Sequence, residues 1–377
     1  MLRKRWPWLI LGMFLILFGA IGWVGYRAMH KSELNHELIV AATAGEPEPV
    51  RILLDQGANP NTYEDVETGT EWRRFYNLLL PQTYYEQRCP LRQALMNGHL
   101  DTNRLAAVQI LLEHKANPNI GQKSDRPLSL RALYDVPNDR LLTLFLQHGA
   151  DPNTIDGSGN SMLMYAVDSG EESWVRAVLD HGGRPNLANT SGDSPLMWAA
   201  YQQNTKIVAL LLAHGANVNH TNQRGLTALT YALAGSGHAQ HKTLEMLIAA
   251  GADVNLPDVQ GCSPFLLALT MHSPESRFLL AQGGDVHTAI SAVRMQSISV
   301  EIKTVISTTP ILKNISIESG KTPLMLAARA RDIEIVRSIL AKGPDVTVRD
   351  AQGKTALDYA KAAPEIRALL LQAGARP

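Results

Sequence analysis

Along most of this chain, apolar residues come in pairs of short helical bursts separated by Gly, Asn and Asp. The stretch from Asn189 to Asn219 shows the pattern most clearly. Ser194-Pro195-Leu196-Met197-Trp198-Ala199-Ala200 predicts a first helix, with Ser194 capping it and Pro195 at the first helical position, where no N–H is needed. Leu196, Ala199 and Ala200 share one face. A second helix carries Ile207, Val208, Leu211 and Leu212 inward at helical spacing and ends at Gly215, which suits a positive φ. Neither helix buries its apolar face alone, so the unit needs copies of itself on both sides.

Those copies are present. The helix-opening residue recurs at Ser161, Ser194 and Thr227, and again at Thr322 and Thr355, each step 33 residues. Less regular copies open at Cys89, Arg126 and Ser263. The closing element recurs as Gly57-Ala-Asn-Pro-Asn61, Ala116-Asn-Pro-Asn119, Gly149-Ala-Asp-Pro-Asn153, Gly215-Ala-Asn-Val-Asn219 and Gly251-Ala-Asp-Val-Asn255. The period and these signatures resemble the ankyrin repeat family. That resemblance implies an all-α solenoid of about ten helix–turn–helix units with β-turn fingers, spanning residues 36–377. Units are expected to open near His36, Cys89, Arg126, Ser161, Ser194, Thr227, Ser263, Thr288, Thr322 and Thr355, with a degenerate, nearly fingerless repeat over 288–316.

Two departures from the period stand out. Between the first two units lies an insertion, residues 63–88, holding Tyr63, Trp72, Phe75, Tyr76, Tyr84 and Tyr85, six of the chain's 22 aromatic residues. Clustered aromatics of this kind are typical anchors for a partner. Smaller insertions are expected at Asp101–Leu105 and Gly235–Lys242.

The N-terminus reads differently. Residues 1–5 are basic, and Trp6 to Tyr26 holds no charged residue, enough for about 31 Å of helix, the thickness of a bilayer core. Trp6, Trp8, Trp23 and Tyr26 sit at its ends, as interfacial rings do. Residues 6–26 therefore read as a transmembrane signal-anchor, with 27–35 as a linker. A cleaved signal peptide is the rival, but its only small-residue site, Ala20-Ile21-Gly22, lies inside the apolar run. Arg3, Lys4 and Arg5 outweigh Arg27 and Lys31, placing the N-terminus in the cytoplasm and exporting the repeats. The expected setting is a bacterial inner membrane facing the periplasm, with a eukaryotic type II membrane protein as the alternative.

The whole chain balances 35 basic against 35 acidic residues. Five of the basic ones precede residue 32, leaving a body of net charge −5 with no basic stripe. Nucleic acid is not the expected partner. Two cysteines, Cys89 and Cys262, exclude a disulfide scaffold.

Candidate chemistry dissolves on inspection. Gly320-Lys321-Thr322 and Gly353-Lys354-Thr355 lack the upstream Gly of a phosphate-binding loop, where Ile315 and Val348 stand. Gly159-Asn160-Ser161, Gly192-Asp193-Ser194 and Gly261-Cys262-Ser263 lack the closing Gly of a nucleophile elbow. His114, His148, His181 and His214 recur near helix C-termini, where a cation-capable ring suits the dipole. His238 and His241 lack a third metal ligand. Tyr165, Trp198, Tyr231 and Tyr359 share one repeat position with Leu267 and Leu326, which suits packing between first helices or a partner surface. No catalytic, cofactor or metal site and no small-molecule substrate is expected.

The expected function is a membrane-tethered protein-binding scaffold; an inhibitor or immunity protein neutralising an enzyme or toxin at the membrane is the alternative. The family resemblance implies that partners dock on finger tips and first helices. Here those positions are Ser158, Asn160, Asp168, Ser191, Asp193, Tyr201, Gln202, Arg224, Leu226, Gln260, Thr270, Met271, Lys321 and Arg329.

Overall fold

The computed structural model describes residues 27, 29–63, 89–96, 101–120, 127–134, 139–235, 240–290 and 320–376. The expected anchor, 6–26, and the aromatic insertion after Tyr63, including Trp72, Phe75, Tyr76, Tyr84 and Tyr85, lie outside them. Among the described residues no helix is long and apolar enough to cross a membrane. The chain divides into two compact units, Met1–Gly157 and Ser158–Pro377.

Among the described residues of the first unit, three helix pairs follow in order. Residues 29–44 form α1, and α2 is Pro47–Asp55; α3 is Pro90–Met96 and α4 Thr102–Glu113; α5 is Leu128–Tyr134 and α6 Asp139–Gln147. One core joins Leu38, Val50 and Leu54 to Leu91, Val108, Leu111, Leu141 and Phe145. Two expectations are corrected here. Residues 29–35 are helical rather than linker, because Leu34 and Leu38 fall at helical spacing and both enter the core. Asp101–Leu105 is the capped first turn of α4, with the Asp101 carboxylate accepting from the Arg104 N–H at 2.8 Å.

Among the described residues, the second unit holds six helix pairs. They are α7 (Met162–Ser169) with α8 (Glu172–Asp180), α9 (Pro195–Tyr201) with α10 (Thr205–Ala213), and α11 (Ala228–Ala234) with α12 (Gln240–Ala249). Then come α13 (Pro264–Thr270) with α14 (Glu275–Ala281), α15 (Pro323–Ala330) with α16 (Ile333–Leu340), and α17 (Ala356–Tyr359) with α18 (Pro364–Gln372). The predicted caps are in place. Ser161, Ser194, Thr227, Ser263 and Thr322 each accept a backbone N–H three residues on. The Asn residues of the closing elements tie each pair to the next. Asn219 Nδ2 donates to Gly251 O at 2.8 Å while its Oδ1 accepts from Asp253 N at 2.8 Å, and Asn186 and Asn255 repeat the arrangement. In the first unit Asn61 and Asn119 do the same. Such a bond contributes about 1 kcal/mol, and a ladder of them fixes the register of the stack.

The expected degenerate repeat, 288–316, is described only at residues 288–290. α13 packs on α15 and α14 on α16. Arg277 makes a two-pronged contact with Asp332 at 2.7 and 3.2 Å, and Lys342 Nζ reaches Leu280 O at 3.1 Å. Among the described residues, no helix pair stands between them. Thr288 does not open a helix; its hydroxyl bonds to Asp285. The remainder of the expected repeat, 291–316, lies outside the described residues.

The fingers explain what happens there. Asn189, Asn222, Asp258 and Asp350 each donate their N–H to the carbonyl four residues on, at 2.9–3.1 Å, and the intervening Gly donates back. Ile290 N instead donates to Lys321 O at 3.0 Å, and Gly320 N to Ile290 O at 2.9 Å. Ile290, Gly320 and Lys321 thus fill one finger's bonding pattern. Gly283-Gly-Asp-Val-His-Thr-Ala-Ile290 is its first half and Gly320-Lys321 its end.

Candidate functional site

Four fingers of the second unit are each shaped by one Asx side chain. Asn189 Oδ1 accepts from the N–H groups of Ser191 and Asp193 at 3.0 and 2.9 Å, and Asn222, Asp258 and Asp350 hold their fingers in the same way. A glycine completes the turn. Gly192 has φ +82°, and a Cβ there would stand 2.9 Å from Gln223 N. That close approach lets the tips join backbone to backbone: Thr190 N to Ser158 O, Gln223 N to Ser191 O and Val259 N to Arg224 O, at 3.0, 3.1 and 3.0 Å. Their side chains stand along a fixed edge.

Along that edge Ser158, Ser191 and Arg224 are exposed and Gln260 is half-buried. At the ends of the first helices Arg329 is exposed, while Asp168, Tyr201, Gln202, Thr270 and Met271 are half-buried. Gln202 Nε2 donates to Asp168 O at 3.2 Å, and Thr270 Oγ1 to Leu266 O at 2.8 Å.

Four expected surface residues are not on the surface. Asn160, Asp193, Leu226 and Lys321 are all buried, the last only 1% exposed. They occupy the final finger position, which turns back beneath the next finger. Asn160 Oδ1 accepts from Asn189 Nδ2 at 3.0 Å. Asp193 accepts from Asn222 Nδ2 at 2.8 Å and Tyr231 Oη at 2.7 Å. Lys321 Nζ lies 4.6 Å from the centroid of the Tyr359 ring, and the Tyr359 hydroxyl bonds to Asp350.

The aromatic column therefore divides. Tyr165 and Trp198 are buried between first helices, as is Leu267. Tyr231 and Tyr359 also close polar contacts between a finger and the next repeat. Sequence reasoning missed these contacts; the signal was an Asn or Asp opening a finger, with a Tyr nine residues later. Burial pushes the Tyr231 hydroxyl up, and the Asp193 charge adds to it. Burial alone would raise Asp350, but bonds from Tyr359 and the Lys354 and Gln352 N–H groups, with the Lys321 charge, hold it low. Asp258 is raised by burial despite the N–H groups of Cys262 and Gln260.

The histidine column behaves as helix-end chemistry requires. His114, His181 and His214 each place Nδ1 at 2.8–2.9 Å from the carbonyl four residues before. Among the described residues no group of three or more His, Cys, Asp and Glu side chains is placed to hold a metal ion. Cys89 and Cys262 are buried thiols, and burial pushes both up.

At three inner-to-outer helix junctions a non-glycine residue takes the left-handed conformation: Gln203, His272 and Arg331, with φ +59°, +53° and +57°. The matching position of the first pair in this unit is Gly170.

Comparison with known proteins follows the same residues. A family profile described as ankyrin repeats (3 copies) matches residues 128–222, one described as ankyrin repeat matches 224–259, and one described as ankyrin repeats (many copies) matches 311–360. Among solved structures, the chain is similar to the human ASB11 ankyrin repeat domain, at 22% identity and a TM-score of 0.45, covering 63% of this chain and 94% of that one. No curated protein matches it.

Proposed function

The chain belongs to the ankyrin repeat family, and from that premise we propose that it is a scaffold that binds a partner protein and is held at a membrane by residues 6–26. Ankyrin repeats are generally protein–protein interaction modules. The observation that carries the reading is the hydrogen-bonded row of finger tips. It presents Ser158, Ser191 and Arg224 on a backbone already fixed before any partner arrives, so little ordering cost accompanies binding. Mixed polar and charged side chains on a rigid edge suit a specific protein surface.

The uncharged run from Trp6 to Tyr26, flanked by Arg3, Lys4 and Arg5, supports the tether and an N-terminus in the cytoplasm. The repeats would then face the periplasm of a bacterial cell. The aromatic insertion, with Trp72, Phe75 and Tyr76, is a second contact region on this reading.

Affinity capture from membranes with the full anchored chain tests this. A captured protein should be lost when Ser158, Ser191 and Arg224 are replaced together by Glu, with the melting temperature unchanged. Capture that is indifferent to these changes overturns the finger-edge reading. A periplasmic reporter fused after Pro377 should be active; a cytoplasmic one active in its place overturns the orientation.

A further inference from the structure

We propose that α1 directly continues the membrane segment, and that its start, residues 27–33, stands in the lipid headgroup layer and fixes the first repeat at the bilayer surface; this rests on the tether reading above.

The helix starts far ahead of its core. Arg27 and residues 29–44 are helical, so helix is already present at the first residue after the uncharged run that ends at Tyr26. Leu34 is the first side chain to enter the core. Before it, Arg27 and residues 29–33 are all exposed, Met29 at 76%. About two turns of helix therefore project from the repeat without burying a side chain. In water most helical stability comes from packing an apolar face, and this projection packs none against the repeat.

Nor does the chain supply a start signal at residue 27. Ser32 is the residue suited to cap a helix that begins where the packing begins. It is helical instead. None of residues 6–31 is Ser, Thr, Asp or Asn, and no proline stands between Pro7 and Pro47. The N–H groups that a helix start leaves unpaired thus have no such capping side chain near residue 27. They are satisfied if the helix runs on upstream. Gly22 and Gly25 do not oppose this, since glycine is common in membrane helices.

The lengths agree. Residues 6–26 span about 31 Å as helix, against about 30 Å for a hydrocarbon core. Residues 27–33 add about 10 Å, against roughly 5–7 Å for one headgroup layer. Leu34 then falls just outside that layer, and the first repeat begins without slack. The side chains suit the position. Arg27 and Lys31 lie one turn apart on long stems that reach lipid phosphates, and His30 and Ser32 can hydrogen-bond headgroups. Glu33, the carboxylate of the stretch, stands at the end away from the anchor. A helix crossing this layer meets headgroups on every side, which matches a segment exposed at each described residue.

The test uses the full chain in phosphatidylcholine vesicles, labelled at Met29→Cys or Val40→Cys with an environment-sensitive fluorophore. Both positions are exposed, whereas the chain's own Cys89 and Cys262 are buried. They lie about 16 Å apart along the helix. Lipids carrying a nitroxide on the headgroup should quench the probe at position 29 strongly and the probe at 40 little. A flexible Gly-Ser stretch inserted after Tyr26 is the second variant. It should abolish the quenching at 29 while the chain still floats with the vesicles and its melting temperature is unchanged. In a chain that floats, quenching at 29 no stronger than at 40, or unchanged by the insertion, overturns the continuous helix and leaves the tether standing. A wild-type chain that does not float overturns the tether reading and this inference with it.

Discussion

The Tyr231 hydroxyl donates a 2.7 Å hydrogen bond to the Asp193 carboxylate, linking the first helix of one repeat to the finger of the repeat before it. Asn222 Nδ2 reaches both groups, at 2.8 and 3.3 Å. All three are buried, so the contact is a satisfied polar network inside an otherwise apolar interface. Tyr231→Phe removes one donor from a buried carboxylate. It should destabilise the second unit by about 1–3 kcal/mol, with faster amide exchange around residues 189–235. Denaturation and exchange unchanged from wild type would mean that water or Asn222 replaces the donor at no cost.

The left-handed junctions carry stored strain. Replacing His272 or Arg331 with Gly should stabilise the chain by about 1 kcal/mol, because a β-carbon is costly in that conformation. Gln203→Gly should gain less, since Gln203 Nε2 donates to Ala232 O at 2.7 Å and that bond would be lost. Urea denaturation of the three variants measures the order; Gln203→Gly gaining most would contradict it.

A pH dependence follows from His241. Its Nδ1 lies 2.7 Å from Glu275 and its Nε2 3.4 Å from Glu245, while its ring stacks edge-on against Phe278. Lys242 also faces Glu245, at 3.4 Å. The bond to Glu275 raises the His241 pKa above its ordinary value. A raised pKa means that the stabilisation is complete below the unfolded-state value near 6.5 and fades as pH rises through the folded one. Melting temperatures should therefore fall above about pH 6.5 in wild type. His241→Gln should flatten that part of the profile; an unchanged slope would assign it to another group.

Replacing residues 291–319 by a two-residue turn such as Asn-Gly should leave the stack intact. Ile290, Gly320 and Lys321 already make the bonds of a closed finger, and Arg277 already reaches Asp332 across the junction. Circular dichroism and the melting temperature should match wild type. A cooperative loss of helix would show that the segment supplies core after all.

Gly225 is a crowded finger position. A Cβ there would lie 2.7 Å from Asp258 Cα, and the backbone sits at φ +76°. Gly225→Ala should cost about 2 kcal/mol or more, combining left-handed strain with a displaced neighbour. Gly353→Ala, with the same φ and open space around it, should cost less. Comparing the two separates strain from crowding.

The linear sequence determined the repeat, its caps and its junctions, because these are local. A Ser or Thr cap, a helix-spaced apolar face and a Gly after the second helix each act within a few residues. Period alone could not tell an inserted segment from a decayed repeat. Residues 288–316 have the length of a repeat, and only the tertiary structure shows that α13 packs directly on α15.

Which finger residues face outward was likewise a tertiary decision. Ser191 and Asp193 are two positions apart in one finger, yet the first is exposed and the second lies beneath the next repeat. Family resemblance grouped them as surface. The neighbouring finger separates them, because its backbone closes against the glycine between them and leaves the final position room only to face inward.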